Sequence, residues 1–405
     1  MRTVLVTGTG GAGRTTVAAA TAVAAVAPGR RVLVLSADRD ASLERALDLP
    51  PAAPGAGTPE AGAAPVPVAS VPGLWAARID AAAAFRADAG AVQQRLGSLL
   101  DLLGAAPLDP EELTELPGAE AFALLRALRD TAGGWDLVVV DLPPVHEALA
   151  ALALPAQLRR YITRLVPQER QAARALRPVL AQLAGVPAPG AWAYEAAARA
   201  DRELAAAQAV IEDAATTVRL VVAPGTHAAD AVRRARTGLA LYGHRLEAVV
   251  ANRLLPAESP DPWLAELAGH RRKELRALRA ELAGTPTELH ELPHLGREPH
   301  GAGDLDRLAA RPPADVREGP ATPPWTTEDR LAAEGHFLWR LPLPGATRDT
   351  VDLVRRGDEL VVDAEGYRRI LPLPSALRRC TVAGAALRDG ALQVRFAPDP
   401  GLWPR

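Results

Sequence analysis

The sequence predicts an α/β protein, a doubly wound and mostly parallel sheet with helices on both faces, followed by a smaller C-terminal antiparallel β-sandwich. Two patterns predict it. Short runs without polar alternation, TVLVTG (3–8), RVLVLSAD (31–38), WAARID (75–80), WDLVVVDLPP (135–144), VRLVVAPG (218–225) and LEAVVANRLL (246–255), are separated by Ala- and Leu-rich stretches. A strand that is apolar at every position is buried on both faces, which is the situation of a parallel strand between helical layers. Beyond residue 330 the pattern changes to alternation, in HFLWRLPLPG, VDLVRRGDELVVDAEG, YRRILPLP and GAALRDGALQVRFAP. Asp389-Gly390 and Gly357-Asp358 stand between alternating segments, where tight hairpin turns belong.

Between these patterns lie two stretches of other character. Residues 50–73, PPAAPGAGTPEAGAAPVPVASVPG, carry no periodic apolar signal and read as a flexible surface insertion; RPPADVREGPATPP (311–324) breaks the chain a second time. The expected division is therefore an α/β domain over 1–310, a linker over 311–328 and the sandwich over 329–405. At 405 residues and 48% apolar composition the chain can bury a sizeable core.

Charge and cysteine content remove several functions. Lys+Arg of 46 against Asp+Glu of 48 gives a net charge of -2, so the basic footprint of a nucleic-acid binder is missing and no nucleic-acid partner is expected. The single cysteine, Cys380, excludes an intramolecular disulfide framework and a cysteine-clustered metal site; it reads as a lone buried thiol in a strand and fits a cytoplasmic location. The glycines and Arg14 interrupt the apolar N-terminal run, which argues against a signal peptide, and no later stretch has the length for stable membrane insertion. Lys273 is the sole lysine, so arginine replaces lysine throughout the chain.

The chemistry concentrates in GTGGAGRTT, Gly8 to Thr16. A strand, then Gly8, Gly10, Gly11 and Gly13, then a helix opening at Thr15-Thr16, is the geometry in which successive backbone N–H groups point at an anion. A tight strand-to-helix turn is the other reading of the same glycines.

This stretch resembles the deviant Walker A loop G-K-G-G-V-G-K-T-T of the ArsA-type ATPases, the arsenical-pump and tail-anchored-protein-targeting family of P-loop NTPases. Further matches follow in that family's order. SADRDASL (36–43) is similar to its switch I motif, ELPGAEAF (115–122) to its P-G-x-D/E segment, and DLPPVHEALAALALP (141–155) to its Walker B and switch II stretch. ANRLLP (251–256) and ELPHLGREPHG (291–301) fall where the family has its adenine-side motifs. The tail, YRRILPLPSAL with VAGAALRDGALQVRFAP, resembles the α-crystallin (small heat-shock protein) sandwich that some bacterial members carry.

The resemblance implies ATP and Mg²⁺ as cofactors, with Gly10, Gly11, Ala12, Gly13, Arg14, Thr15 and Thr16 around the phosphates. It further implies that Thr15 and Asp141 support the metal, that Asp38 orients the attacking water, and that Asn252 and Pro293 flank the adenine. A helix cap is the alternative role for the threonine and for the aspartates. Two departures bear on turnover. Arg14 replaces the loop lysine with a bulkier planar cation, and Thr9 replaces the signature lysine that reaches the partner subunit's nucleotide. Loss of a trans-acting cation of this kind costs on the order of 10³ to 10⁵ in rate, so hydrolysis should suffer more than binding. Val145-His146-Glu147 and Arg39-Asp40 also depart from the two switch motifs, and Gly225 follows Pro224 where the family has glutamate.

The expectation is an ATP-binding protein with slow or impaired hydrolysis that drives or stabilises a dimeric, chaperone-like or targeting-like assembly with a protein client. A non-hydrolysing scaffold with a chaperone-like tail is the alternative. Arsenite is disfavoured, since soft metalloids need thiolates and the one cysteine lies in the tail. A zinc-bridged homodimer would need a C-x-x-C pair, also missing, so a homodimer must be held otherwise. His290, His294 and His300 are read as loop residues because Pro293 interrupts them. Apolar stripes at Val92, Leu96, Leu99, Leu100 and Leu103 and at Leu158, Tyr161, Ile162 and Leu165 are read as core-facing, with a client groove as the other reading.

Overall fold

The computed structural model describes residues 1–50, 64–95, 106–166, 191–256, 258–308 and 323–402. An eight-stranded sheet forms the centre of the first domain. Its strands are β1 (Arg2–Gly8), β2 (Val32–Ser36), β3 (Val66–Pro67), β4 (Leu74–Arg78), β5 (Leu137–Asp141), β6 (Thr216–Val222), β7 (Leu246–Leu254) and β8 (Glu288–Pro293), in spatial order β3-β4-β2-β5-β1-β6-β7-β8. All neighbours pair in parallel except β3, which runs antiparallel to β4.

Every residue of β1, β2, β5 and β6 is buried, as runs without polar alternation require. Alternate residues serve opposite faces. Leu5, Leu33, Val138 and Val140 face a core built with helices α4 (Ala119–Asp130), α5 (Val145–Leu165) and α6 (Ala191–Ile211). Val4, Val6, Val32, Val34 and Val139 face α1 (Arg14–Ala25), α2 (Ser42–Leu47) and α9 (Gly301–Arg307). Between these in the chain, α3 (Ala81–Arg95) packs by α4, while α7 (Ala228–Tyr242) and α8 (Pro262–Leu282) cover β6 and β7. Ala18, Ala19 and Ala22 are fully buried, and their small side chains let α1 lie close on the sheet. A charged pair enters this core: Arg219 of β6 is fully buried, and its guanidinium meets Glu247 at 2.5 Å and the Thr21 hydroxyl at 3.0 Å. Glu247 also accepts from Arg2 and Thr217, so the buried charge is paired and hydrogen-bonded.

The C-terminal domain stacks two antiparallel sheets. One is β14 (Cys380–Arg388), β15 (Ala391–Pro398), β10 (His336–Pro342) and β9 (Thr326–Arg330); the other is β11 (Val351–Arg356), β12 (Glu359–Ala364) and β13 (Tyr367–Pro372). Trp339, Leu341, Leu360, Val362, Leu371, Val394 and Phe396 fill the space between them. Short helices α10 (Leu331–Glu334) and α11 (Ser375–Arg378) cover its ends. Both expected hairpins form, β11–β12 at Gly357-Asp358 and β14–β15 at Asp389-Gly390, and Cys380 is a buried thiol at the start of a strand.

Three boundaries differ from the sequence expectation. Within the insertion read over 50–73, Val66–Pro67 forms an edge strand and Val68 and Val71 are buried, while 51–63 lie outside the described residues. The linker read over 311–328 already contains the first three residues of β9, with Thr326 opposite Arg340 and Glu328 opposite Leu338. His290, read as part of a loop, lies in β8 opposite Val250. Charged residues at an edge broke the apolar run by which the inner strands were found. His294 and His300 go separate ways: the His294 ring accepts from the Gly296 amide, and His300 faces Asp48 at 3.3 Å. Of the two stripes read as core-facing, Tyr161 and Leu165 are exposed, as is Val92; residues 96–103 lie outside the described residues.

The two domains share one apolar core along α5, α7 and β13. Gly238 of α7 lies directly under the Tyr367 ring, where an added Cβ would stand 2.6 Å from a ring carbon. Around it the Thr237 hydroxyl donates to the Pro344 carbonyl at 2.6 Å, the Tyr242 hydroxyl to the Arg368 carbonyl at 2.9 Å, and the Arg369 guanidinium to the Leu241 carbonyl at 2.6 Å. Arg160 of α5 grips Glu359 with two nitrogens at 2.7 and 2.6 Å. Burial, with Arg369 nearby, lowers His244 to about 4, so that ring is neutral at pH 7.

Candidate nucleotide site

The carboxyl ends of β2, β5 and β1 lie side by side, with Ser36 and Val6 both in register with Asp141. The chain turns outward on either side of β1, with β5 and β2 on one side and β6 on the other. Ligands of open α/β sheets bind in the crevice at such a switch point.

Gly8 to Arg14 fill that crevice. Gly8 is obligatory because a Cβ there would stand 1.9 Å from the Val221 carbonyl oxygen of the neighbouring strand. Gly13 adopts φ 86° as the cap of α1, and its missing Cβ leaves room for the Asn252 side chain, which would otherwise be 2.5 Å away. Between them the crown of the loop, Gly10 and Gly11, is exposed, and a Cβ built on either meets nothing within 4 Å. The loop is thus braced at both ends and open at its centre.

Beside the loop four polar side chains converge from three elements. The Thr15 hydroxyl, in the first turn of α1, donates to Asp38 Oδ2 at 3.5 Å. Ser36 Oγ donates to Asp141 Oδ2 at 2.7 Å and accepts from the Asp38 amide at 3.1 Å. Asp141 is 2% exposed, and burial pushes its pKa up to about 6, against the pull of the Ser36 and Thr15 hydroxyls and the Arg14 charge. A cation beside this buried carboxylate would favour its charged form. Hydroxyl and carboxylate oxygens are the hard donors that Mg²⁺ prefers, and Thr15, Asp38 and Asp141 offer them together. Among the described residues no group of three or more His, Cys, Asp or Glu side chains forms a closed metal cage. An ion here would need oxygen atoms from a phosphate as well, the usual arrangement for Mg²⁺.

The remaining expected residues separate into supports and outliers. Arg14 bends back, with Nη1 3.4 Å from the Thr9 carbonyl and Nε buried without a partner among the described residues. Thr16 follows in the same turn, half-buried. Asn252 is 4% exposed at the end of β7, and both ends of its amide are engaged: Nδ2 donates to the Ala12 carbonyl at 2.8 Å and Oδ1 accepts from the Arg253 amide at 2.9 Å. It supports the loop from below. Pro293 is exposed at the end of β8, in register with Leu254.

Both departures in the switch motifs have structural partners. Arg39 reaches Glu120 at 2.5 Å and Glu115 at 2.9 Å, tying the Asp38 segment to the ELPGAEAF stretch. His146, in the first turn of α5 just after Asp141, packs on Tyr367 of the C-terminal domain with ring centroids 5.4 Å apart.

Two residues of the site escaped sequence reasoning. Ser36 opens the SADRDASL stretch but has no role assigned there, and its bond to Asp141 crosses between strands. Arg253 leaves the end of β7 with φ 61°, and its Nη1 donates to the Gly11 carbonyl at 2.8 Å. Nothing in its neighbourhood in the chain separates it from an ordinary surface arginine.

Comparison with known proteins agrees with this geometry. Residues 1–311 match the anion-transporting ATPase family, ArsA, and residues 334–396 match the HSP20-like domain found in ArsA. The chain belongs to the ArsA ATPase family. SCO2128 of Streptomyces coelicolor is 55% identical over 408 residues, the full length of both chains. Rv2184c of Mycobacterium tuberculosis is 33% identical over 417 residues, covering 99% of this chain and 97% of that one. The arsenical pump-driving ATPase of Escherichia coli is 28% identical over 295 residues, 70% of this chain and 45% of the Escherichia coli protein. In this ArsA-family chain no described helix is long and apolar enough to cross a membrane.

Proposed function

We propose that this ArsA-family chain binds ATP with Mg²⁺ in the Gly8–Thr16 loop, turns it over slowly, and uses the bound nucleotide to stabilise a homodimer that handles a protein client. The observation that carries the binding half is the convergence of Thr15, Asp38, Ser36 and the buried Asp141 beside an open glycine crown. The metal, when bound, would screen phosphate charge and fix its geometry. Thr15 and Asp141 supply its protein oxygens, and Asp38 is placed to orient water.

Slow turnover rests on positions 9 and 14. Arg14 donates to its own loop at Thr9, and Thr9 itself carries no charge. The same contact supports a second reading, a scaffold that binds nucleotide and does not hydrolyse it.

Nucleotide binding and phosphate release measured on the wild type, Thr9→Lys, Arg14→Lys and the double variant test the proposal. The expected result is ATP binding in all four, slow release by the wild type, and the largest gain in the double variant. Robust multiple-turnover hydrolysis by the wild type overturns slow turnover; zero turnover in every variant leaves the scaffold; no ATP binding by the wild type overturns the nucleotide reading.

A further inference from the structure

Arg253 is the residue of this face whose conformation and position the site as described does not use. Its backbone stands at φ 61°, a left-handed conformation that side chains other than glycine seldom adopt and that persists where surrounding contacts impose it. Those contacts are visible. The Arg253 amide donates to Asn252 Oδ1, whose Nδ2 is itself fastened to the Ala12 carbonyl. The same turn throws the Arg253 side chain off β7 and onto the loop. Nη1 reaches the Gly11 carbonyl at 2.8 Å, and Nε lies 4.0 Å from where a Cβ on Gly13 would stand, so the guanidinium lies along the rim of the crown.

A guanidinium carries several coplanar N–H donors. Among the described residues the one on Nη1 is used on a neutral carbonyl, and the Arg253 side chain meets no carboxylate. The group is exposed and borders the part of the loop where Gly10 and Gly11 leave space. A strained arginine pinned at an open anion-binding loop, without a counter-charge, matches a planar cation set out for phosphate oxygens, which guanidinium binds with several donors at once.

We infer that Arg253 is a further nucleotide-binding residue, a cation supplied in cis that closes over the polyphosphate of a nucleoside triphosphate from the β7 side of the loop. It provides positive charge to a site in which position 9 is threonine. The inference rests on the nucleotide reading of the loop, and the experiment separates the two.

Titration calorimetry of the full-length chain with ATP, ADP and AMP in the presence of Mg²⁺ is carried out on the wild type, Arg253→Gln and Arg253→Lys, each first checked for an unchanged melting temperature. Arg253→Gln is expected to weaken ATP binding about 10- to 100-fold, with a loss that shrinks from ATP to AMP, and Arg253→Lys, which keeps the charge but loses the planar donors, to fall between Arg253→Gln and the wild type. The salt dependence of ATP binding should flatten in Arg253→Gln. Unchanged ATP affinity in Arg253→Gln overturns the inference and leaves the nucleotide site standing. An equal loss for ATP and AMP also overturns it, because the side chain then serves the nucleoside. No ATP binding by the wild type removes the site and the inference together.

Discussion

The candidate nucleotide face and the seam between the two domains both border α5 and are built in opposite ways. At the seam a glycine is pressed against a tyrosine ring, three hydrogen bonds of 2.6–2.9 Å cross between domains, and Arg160 holds Glu359 with both arms. At the nucleotide face a Cβ on either crown glycine would meet nothing within 4 Å, the Thr15–Asp38 contact is long at 3.5 Å, and Asp141 is buried at a cost. Stability is concentrated where the domains join and withheld where a ligand would supply the missing contacts. His146 connects the regions, since it follows Asp141 in the chain and packs on Tyr367. The HSP20-like domain is therefore packed against the ArsA-family domain, on the helix that leaves the candidate site.

The largest effect expected from this contrast is at the seam. Tyr367→Ala removes a ring that is 7% exposed and packs on Gly238, His146 and Tyr242. Truncating a buried aromatic costs about 3–5 kcal/mol, and chemical denaturation should show that loss. The same experiment tests whether the domains unfold together. A single transition that shifts as a whole supports the shared core; a C-terminal transition that moves alone breaks the comparison.

Asp141 should show the opposite behaviour. Burial raises its folded-state pKa to about 6, above the unfolded value near 3.8, so the protonated form is the one the fold prefers. Stability contributed by that proton is complete below about pH 3.8 and is lost as pH rises through about 6, at 1.36 kcal/mol per pKa unit, or about 3 kcal/mol in all. Asp141→Asn, which cannot ionise, should therefore be more stable than the wild type at pH 8, by up to about 3 kcal/mol, and close to it at pH 4. It should also lose Mg²⁺-dependent ATP binding. Denaturation curves at the two pH values check the sign; a variant less stable than the wild type at pH 8 refutes the idea of a strained carboxylate.

How far such contrasts could be read from the sequence depends on the range of the interactions. The inner strands announced themselves because each is buried on both faces, and the roles of Thr15, Asp38 and Asp141 came from the resemblance of GTGGAGRTT, SADRDASL and DLPPVHEALAALALP to the ArsA-type motifs. β3 has two residues and β8 alternates charge with apolar groups at an edge, so neither makes a continuous run. Ser36 and Arg253 act on residues 105 and 242 positions away. The seam is harder still, because Gly238 and Tyr367 look ordinary in their own segments and acquire meaning only when α7 and β13 meet.

The smallest stability effect belongs to the crown, and it distinguishes an open loop from a braced one. At Gly10 the backbone is not in the left-handed region and a Cβ would meet nothing within 4 Å, so Gly10→Ala should change stability by no more than about 0.5 kcal/mol. Gly13→Ala should cost more, because φ is 86° and the new methyl would stand 2.5 Å from Asn252 Nδ2, the atom that holds Ala12. ATP affinity should order the pair differently. A methyl at Gly10 costs the apo fold almost nothing but takes up space on the surface that phosphate would approach, so ATP binding should fall by about tenfold while the melting temperature stays put. If Gly10→Ala binds ATP as the wild type does, the open crown is only solvent-facing loop, and the contrast between a satisfied seam and an expectant site narrows to the Thr15, Asp38 and Asp141 side.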